Sequence, residues 1–97
     1  MKVKISAVKF KIDEKLEEFI TKKVSKLEKL IPSLLGIEVT LKEEKAEAEL
    51  NKKAEIRLLV AGYDLFSSKQ SDNFEAATML CVDALKAQID KYKDKWQ

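Results

Sequence analysis

The chain has 97 residues, 45% of them apolar and 37% charged, with a formal net charge of +2, no histidine and one cysteine. This composition suits one small domain covering 1–97, and it excludes Cys–His zinc sites, Ser–His–Asp triads and internal disulfides. No apolar segment approaches the roughly 20 residues of a membrane-spanning helix, and the amino terminus lacks the apolar run of a signal peptide. We therefore predict a cytoplasmic protein that is not an enzyme, binds no metal, cofactor or small-molecule substrate, and does not insert into a membrane.

The first third of the chain predicts a strand followed by a helix. Residues 2–8 alternate between polar and apolar side chains, which is the period of a half-buried strand. Further on, apolar positions recur at intervals of three and four, which predicts a helix over 14–31 with Asp13 as its N-cap. Pro32 disfavours helical backbone at the residue before it and so ends this helix, and Gly36 follows as a turn residue.

Period-two alternation returns in the middle of the chain. It predicts strands over 36–44, 54–62 and 63–70, with a hairpin at Gly62 joining the last two. The charged segment 43–53 has no strong period. We predict a mobile loop there, with a frayed strand end or a helical turn as the alternatives.

The last third of the chain predicts a long helix over 71–96. Ser71 or Asp72 is positioned as its N-cap, and Glu75 could complete a capping box with Asp72. The apolar face of this helix carries Phe74, Cys81, Leu85, Ile89, Tyr92 and Trp96.

Three residues of that face bear on function. Because Cys81 lies on this apolar face, we predict that its thiol is buried and unreactive. The same face also favours core or core-edge positions for Tyr92 and Trp96, although an exposed Trp96 could stack on a nucleic-acid base.

The element order is therefore β-α-β-β-β-α, which indicates an α+β fold. We expect one four-stranded sheet with both helices packed on one of its faces, because each helix has a single apolar stripe to bury. The first β-α-β connection should join parallel neighbours through a right-handed crossover.

Lysines concentrate on one side of the first helix. At roughly 100° per residue, four of them fall within about 60° of one another. We call this group the lysine stripe; it consists of Lys15, Lys22, Lys26 and Lys29. Glu18 lies within the stripe and could pair with Lys22 or Lys15, whereas Lys23 lies between the stripe and the core, beside Phe19.

The lysine stripe allows two interpretations. Lysines are point charges that suit phosphate oxygens, so a polyanion such as nucleic acid is one candidate partner. A merely solvated helix face would show the same pattern, and spacing alone does not decide between them. The second helix adds a further basic group near its end, consisting of Lys86, Lys91, Lys93 and Lys95.

Over its whole length the chain resembles the ribosome hibernation promoting factor family, also called ribosome-associated inhibitors or sigma-54 modulation proteins, in its short form. The resemblance is carried by the first strand, by LEEFITKKVSKLEKL in the first helix, by VTLK in the second strand and by DALKAQIDKYKDK near the end. The chain departs from the family pattern at Ala84 and Ala87, where the family often has basic residues. Lys86 compensates for these two positions in part.

The resemblance implies a fold like that of double-stranded-RNA-binding domains. It also implies a bacterial translation inhibitor that binds ribosomal RNA of the small ribosomal subunit, in the channel for mRNA and tRNA, and keeps idle ribosomes inactive in stationary phase or stress. We expect it to be monomeric off the ribosome. The RNA-binding residues that match the family pattern are Lys22, Lys23, Lys26, Lys29, Lys91 and Lys93. The predicted RNA-binding set also includes Lys15 and Lys86. The alternatives are a generic double-stranded-RNA-binding module and a protein-interaction domain that uses its acidic loop or open sheet face.

Overall fold

The computed structural model describes residues 2–44 and 49–93, which form a four-stranded sheet and two helices. The α+β fold and its predicted element order are confirmed. In chain order, the elements are β1 (Lys2–Ala7), α1 (Glu14–Ser25), a 3₁₀ turn (Lys26–Lys29), β2 (Leu34–Glu43), β3 (Lys52–Val60), β4 (Tyr63–Ser71) and α2 (Phe74–Lys93).

The strands lie in the sheet in chain order, β1-β2-β3-β4. β1 and β2 are parallel, as predicted for strands joined through a helix, and the other two pairs are antiparallel. A two-residue turn joins β3 to β4 between the paired residues Val60 and Tyr63. Gly62 in this turn has φ +88°, a left-handed conformation that side chains disfavour, which explains the glycine.

Both helices cover the same face of the sheet. The apolar stripes of the two helices and every second residue of the strands belong to one core, which lies between the helices and the sheet. The opposite face carries no helix in the part of the chain that the structure describes. The core residues on the strands are Leu34, Ile37, Val39, Leu41, Ala54, Ile56, Leu58, Val60 and Leu65, and those on the helical segments are Ile20, Val24, Leu27, Ala77, Cys81, Val82, Leu85 and Ile89.

The first helix begins as predicted but ends differently. The backbone N–H of Leu16 donates to Asp13 Oδ1 at 2.8 Å, which confirms the N-cap. The α-helix stops at Ser25 rather than at residue 31, and the 3₁₀ turn continues it to Lys29. Pro32 restricts only Ile31, so it explains why the helical segment does not pass that residue but not the earlier change to 3₁₀ geometry, which is common at the ends of α-helices.

The predicted cap of the second helix was wrong. α2 begins at Phe74, and Asn73 Oδ1 accepts a hydrogen bond from the backbone N–H of Ala76 at 2.7 Å, so Asn73 is the N-cap. Asp72 instead accepts the side-chain amide of Asn73 at 3.0 Å, which holds that amide in its capping orientation. The predicted end of this helix and Trp96 lie outside the described residues.

Two further predictions about the strands need revision. Gly36 is not a turn residue, since it lies within β2 and is paired with Lys2 of β1. Segment 43–53 is strand at both ends, where Glu43 pairs with Lys52 across the two strands, as the strand-end alternative expected. Its residues 45–48 lie outside the described ranges, so the mobile loop stays a prediction.

Cys81 is buried, as predicted. Its thiol donates to the backbone oxygen of Ala54 at 3.1 Å and lies 3.7 Å from that of Ser67. Burial raises the pKa of the Cys81 thiol above its ordinary value, and a hydrogen bond with the Ser67 side chain and the nearby Lys69 only partly oppose this. The thiol is therefore a packed side chain and not an activated nucleophile.

Candidate nucleic-acid interface

The lysine stripe is held in place by the core residues on the other side of α1. Ile20 and Val24 of α1 and Leu27 of the 3₁₀ turn have no more than 1% of their surface exposed, and this burial fixes the rotation of the helix. All four lysines of the stripe are exposed. The 3₁₀ turn does not scatter them, because side chains three residues apart eclipse one another in that geometry, and Lys26 and Lys29 are three apart.

None of these lysines is neutralised by an ion pair within residues 2–44 and 49–93. The ion pairs found there all involve residues of β2, β3, β4 or the segment after β2. Glu18, which could have paired with Lys22 or Lys15, makes no ion pair with either. The positive charge of the stripe therefore remains available to a phosphate group.

The two ends of the stripe have different surroundings. Near its start, Lys15 shares a cleft of about 350 Å³ with Asp13 and Glu75, whose carboxylates offset its charge. Acidic residues also flank the first turns of α1, where Glu14, Glu17 and Glu18 border a shallow depression beside Lys22. Lys26 and Lys29, at the carboxyl end of the stripe, line neither of these acidic depressions.

Lys23 occupies the position that the sequence predicted for it. It is half-buried, and its Nζ lies 5.5 Å from the centroid of the Phe19 ring. A cation over an aromatic face is attracted by the ring quadrupole, so Phe19 holds this ammonium in place. The contact with Phe19 therefore favours one position of the Lys23 ammonium.

The side of α2 that faces α1 can be read from two contacts. Glu75 lines the cleft with Leu16 and Phe19 of α1, so its side of α2 faces α1. Gln88 donates from Nε2 to the backbone oxygen of Phe66 at 2.9 Å, so its side faces β4 at the sheet edge.

These contacts separate the lysines of α2. At roughly 100° per residue, Lys93 and Lys86 fall within about 20° of Glu75, on the side toward α1. Lys91 falls about 160° from Glu75, on the flank that Gln88 shares with β4. All three are exposed, but only Lys86 and Lys93 border α1. Lys95 lies outside the described residues.

By helical angle, basic residues of both helices therefore lie on the flanks that turn toward each other. The same helical geometry puts Lys22 and Lys26 within roughly 20° of Lys15, which itself borders the cleft with α2. Both helices begin at that cleft. We call these two facing flanks the interhelical groove; by helical angle its lysines are Lys15, Lys22, Lys26, Lys86 and Lys93, with Lys23 and Lys29 beside it.

The aromatic residues of this region are engaged in packing. Tyr92 stacks on Tyr63 with ring centroids 5.1 Å apart, which confirms the predicted core-edge position. Phe10 and Phe74 stack at the same distance near the start of α2. The groove therefore offers charge for phosphates but, among the described residues, no open aromatic platform for bases.

The described residues contain neither a metal-binding cluster nor a membrane-spanning helix. No group of three or more His, Cys, Asp or Glu side chains within the described ranges is arranged to hold a metal ion. No described helix is long and apolar enough to cross a membrane. The sequence identified the basic residues of both helices, but it could not tell which lysines of α2 face α1.

Comparison with known proteins gives a consistent result over nearly the whole chain. The family model described as Sigma 54 modulation protein / S30EA ribosomal protein matches residues 3–97. The ribosome hibernation promoting factor of Escherichia coli K12 is 32% identical over 95 residues, covering 98% of this chain and 96% of the relative. The factor of the same name from Azotobacter vinelandii is 28% identical, covering 98% and 85% respectively.

Solved structures match the fold. A ribosomal subunit interface protein from Coxiella burnetii superimposes with a TM-score of 0.80 at 19% identity, covering 97% of this chain and 99% of the other. The N-terminal domain of Thermus thermophilus Protein Y gives 0.79 at 22% identity, covering 95% and 99%. With the match to residues 3–97, these findings show that the chain belongs to the Sigma 54 modulation protein / S30EA ribosomal protein family.

Proposed function

We propose that this chain binds ribosomal RNA of the small ribosomal subunit through the interhelical groove and keeps idle ribosomes inactive. The site lies in the channel that mRNA and tRNA otherwise occupy, and binding there excludes both. The protein acts in the cytoplasm during stationary phase or stress, as one domain spanning 1–97 that is monomeric off the ribosome. The action is steric, so it needs no catalysis or cofactor.

The observation that carries this proposal is the unpaired positive charge along one groove. Lysine ammonium groups suit phosphate oxygens and do not read base identity. A folded ribosomal RNA surface presents phosphates in a fixed arrangement, and a groove between two packed helices can match it without reorganising. The membership of the family supports the same partner, since relatives of similar length are named ribosome hibernation promoting factors.

The test is cosedimentation with purified small ribosomal subunits over a series of salt concentrations. Five or six lysine–phosphate contacts predict that log K falls with log salt with a slope of about −5. Replacing Lys22, Lys23, Lys26 and Lys29 together with glutamate should abolish cosedimentation. The matched control replaces the same four with arginine, which keeps the charge and should retain most of the binding.

Two outcomes would contradict the proposal. Undiminished cosedimentation of the glutamate variant would remove the groove from the binding surface. Tight binding to a plain RNA duplex in a gel shift, equal to binding to the subunit, would instead favour the generic double-stranded-RNA-binding module.

A further inference from the structure

The ring of Phe19 lies beneath the ammonium group of Lys23 on α1. The Lys23 Nζ is 5.5 Å from the centroid of this ring. The two residues are four apart, so they lie on the same side of the helix. Long side chains on a helix point back toward its amino terminus, which is the direction from Lys23 to Phe19. Spacing and side-chain direction together bring the charge over the ring.

The Phe19 ring is itself held by packing on two sides. It is half-buried and packs against the hydrophobic core, to which α1 contributes the fully buried Ile20 and Val24. It also lines the cleft between α1 and Glu75 of α2, beside Leu16. Because the ring is held in this way, a group that binds its face is held as well.

Lys23 differs from the lysines next to it but keeps its charge available. Lys22 and Lys26 are exposed, and no ring in the described ranges lies beneath either, whereas Lys23 is half-buried over Phe19. No ion pair neutralises Lys23 within residues 2–44 and 49–93. Its ammonium has three N–H donors, and one ring engages only one side of it. The donors turned away from Phe19 can therefore bind a phosphate oxygen.

We infer that Phe19 is a positioning residue for RNA binding, because its ring holds the Lys23 ammonium in place before the RNA arrives. An unrestrained lysine side chain loses rotamer freedom when it binds a phosphate, and this loss weakens binding. Over Phe19, part of that freedom is already lost in the folded protein. Phe19 acts through Lys23 and contacts no phosphate itself. The inference rests on the proposed function, since it concerns how the same surface binds the small ribosomal subunit.

The experiment measures the affinity of the full chain for purified small subunits, by competition with a fluorescently labelled copy of the chain. Phe19→Leu keeps an apolar side chain but removes the ring, and it should weaken binding by roughly two- to fivefold, the range expected for an exposed cation–ring contact. Phe19→Tyr keeps the ring and should restore the affinity. Thermal unfolding of each variant checks the fold.

A double-mutant cycle separates positioning from packing. Lys23→Met removes the ammonium and keeps a long side chain. Because Phe19 acts through Lys23, Phe19→Leu should have no further effect in the Lys23→Met chain. The matched control is Lys26→Met, which removes an exposed lysine that does not contact the ring. In that background Phe19→Leu should keep its full effect.

Two further measurements distinguish the roles of the two residues. Lys23→Met should make the log–log salt slope less negative by about one, because one phosphate contact is lost. Phe19→Leu should leave the slope unchanged, because that contact is still made. In the free protein, the ring current of Phe19 should shift the NMR signals of the Lys23 ε-methylene protons upfield, and Phe19→Leu should abolish this shift.

The inference is overturned if Phe19→Leu binds the subunit as tightly as the unmodified chain does. It also fails if Phe19→Leu weakens binding equally with and without the Lys23 ammonium, since Phe19 would then be a packing residue only. Tighter binding by Phe19→Leu would mean that the ring withholds the ammonium from phosphate, the opposite of positioning. These results leave the proposed function intact, whereas failure of the unmodified chain to bind subunits would overturn both.

Discussion

Lys86 and Lys91 provide the sharpest test of the interhelical groove. Both are exposed lysines of α2, five positions apart, and both belong to the basic cluster that the sequence singled out. Because Lys86 lies on the side of α2 toward α1 and Lys91 on the opposite flank, we expect Lys86→Glu to weaken binding to the small ribosomal subunit strongly and Lys91→Glu to leave it nearly unchanged.

The expected magnitudes follow from distance and screening. A lysine about 4 Å from a phosphate gains about 1 kcal/mol in water, and reversing its charge converts that attraction into a similar repulsion. The resulting loss of about 2 kcal/mol corresponds to roughly 30-fold weaker binding. A charge on the far side of a helix some 10–12 Å across lies beyond the Debye length of about 8 Å at physiological salt, so Lys91→Glu should change affinity by less than about twofold.

The assay is cosedimentation with small subunits at three salt concentrations, with thermal unfolding of each variant as a check on the fold. Lys86→Glu should also make the log–log salt slope less negative by about one, the value for one lost phosphate contact. Equal losses for the two variants would refute the assignment of helix sides. A loss confined to Lys91→Glu would place the RNA at the β4 edge of the sheet.

Three further predictions concern stability. The Thr78 hydroxyl is fully buried and has no hydrogen-bond partner among the described residues, so Thr78→Val should raise the free energy of unfolding in urea by about 1 kcal/mol, and a decrease would mean that the hydroxyl is satisfied. Asn73→Ala should lower it by about 1 kcal/mol and Asp72→Ala by less, because Asn73 caps α2; the reverse order would restore Asp72 as the cap. Because burial raises the pKa of the Cys81 thiol, the folded state keeps its proton above pH 9.0, where the unfolded state loses it. Stability should therefore fall as pH rises above that value, and Cys81→Ala should fall less steeply in the same urea titrations; parallel curves would contradict this.

The sequence predicted a helix N-cap correctly where only one residue near the helix start could act as the cap. Asp13 precedes the first apolar turn with no competing cap nearby, and it caps α1. Before α2 the chain offers Ser71, Asp72 and Asn73 in succession, each able to cap. Which of them does so depends on where the chain leaves β4, and that is fixed by pairing with β3.

The sequence was likewise insufficient to place the lysines of α2 relative to α1. Helical spacing alone placed the lysine stripe on α1, because the core residues that fix the rotation of that helix belong to the same segment. For α2 the buried face was equally clear, yet its two flanks are equivalent in sequence. Only the contacts of Glu75 with α1 and of Gln88 with β4 show which flank borders the groove.

The same reasoning explains how a chain with a net charge of only +2 can bind a polyanion. Net charge counts all groups equally, but a partner at one face experiences chiefly the charges within a Debye length of that face. In the described part of the chain, the carboxylates that form ion pairs lie on β2, β3 and β4 or just after β2, where they neutralise lysines and the arginine of the sheet. The lysines beside the interhelical groove form no such pairs, and although the helical segments 14–29 and 74–93 together carry eight lysines and seven carboxylates, helical spacing gathers most of these lysines on the flanks that turn toward each other. On the sheet side Lys42, Lys53 and Arg57 are already paired with carboxylates, so fewer lysines are free there to contact phosphates.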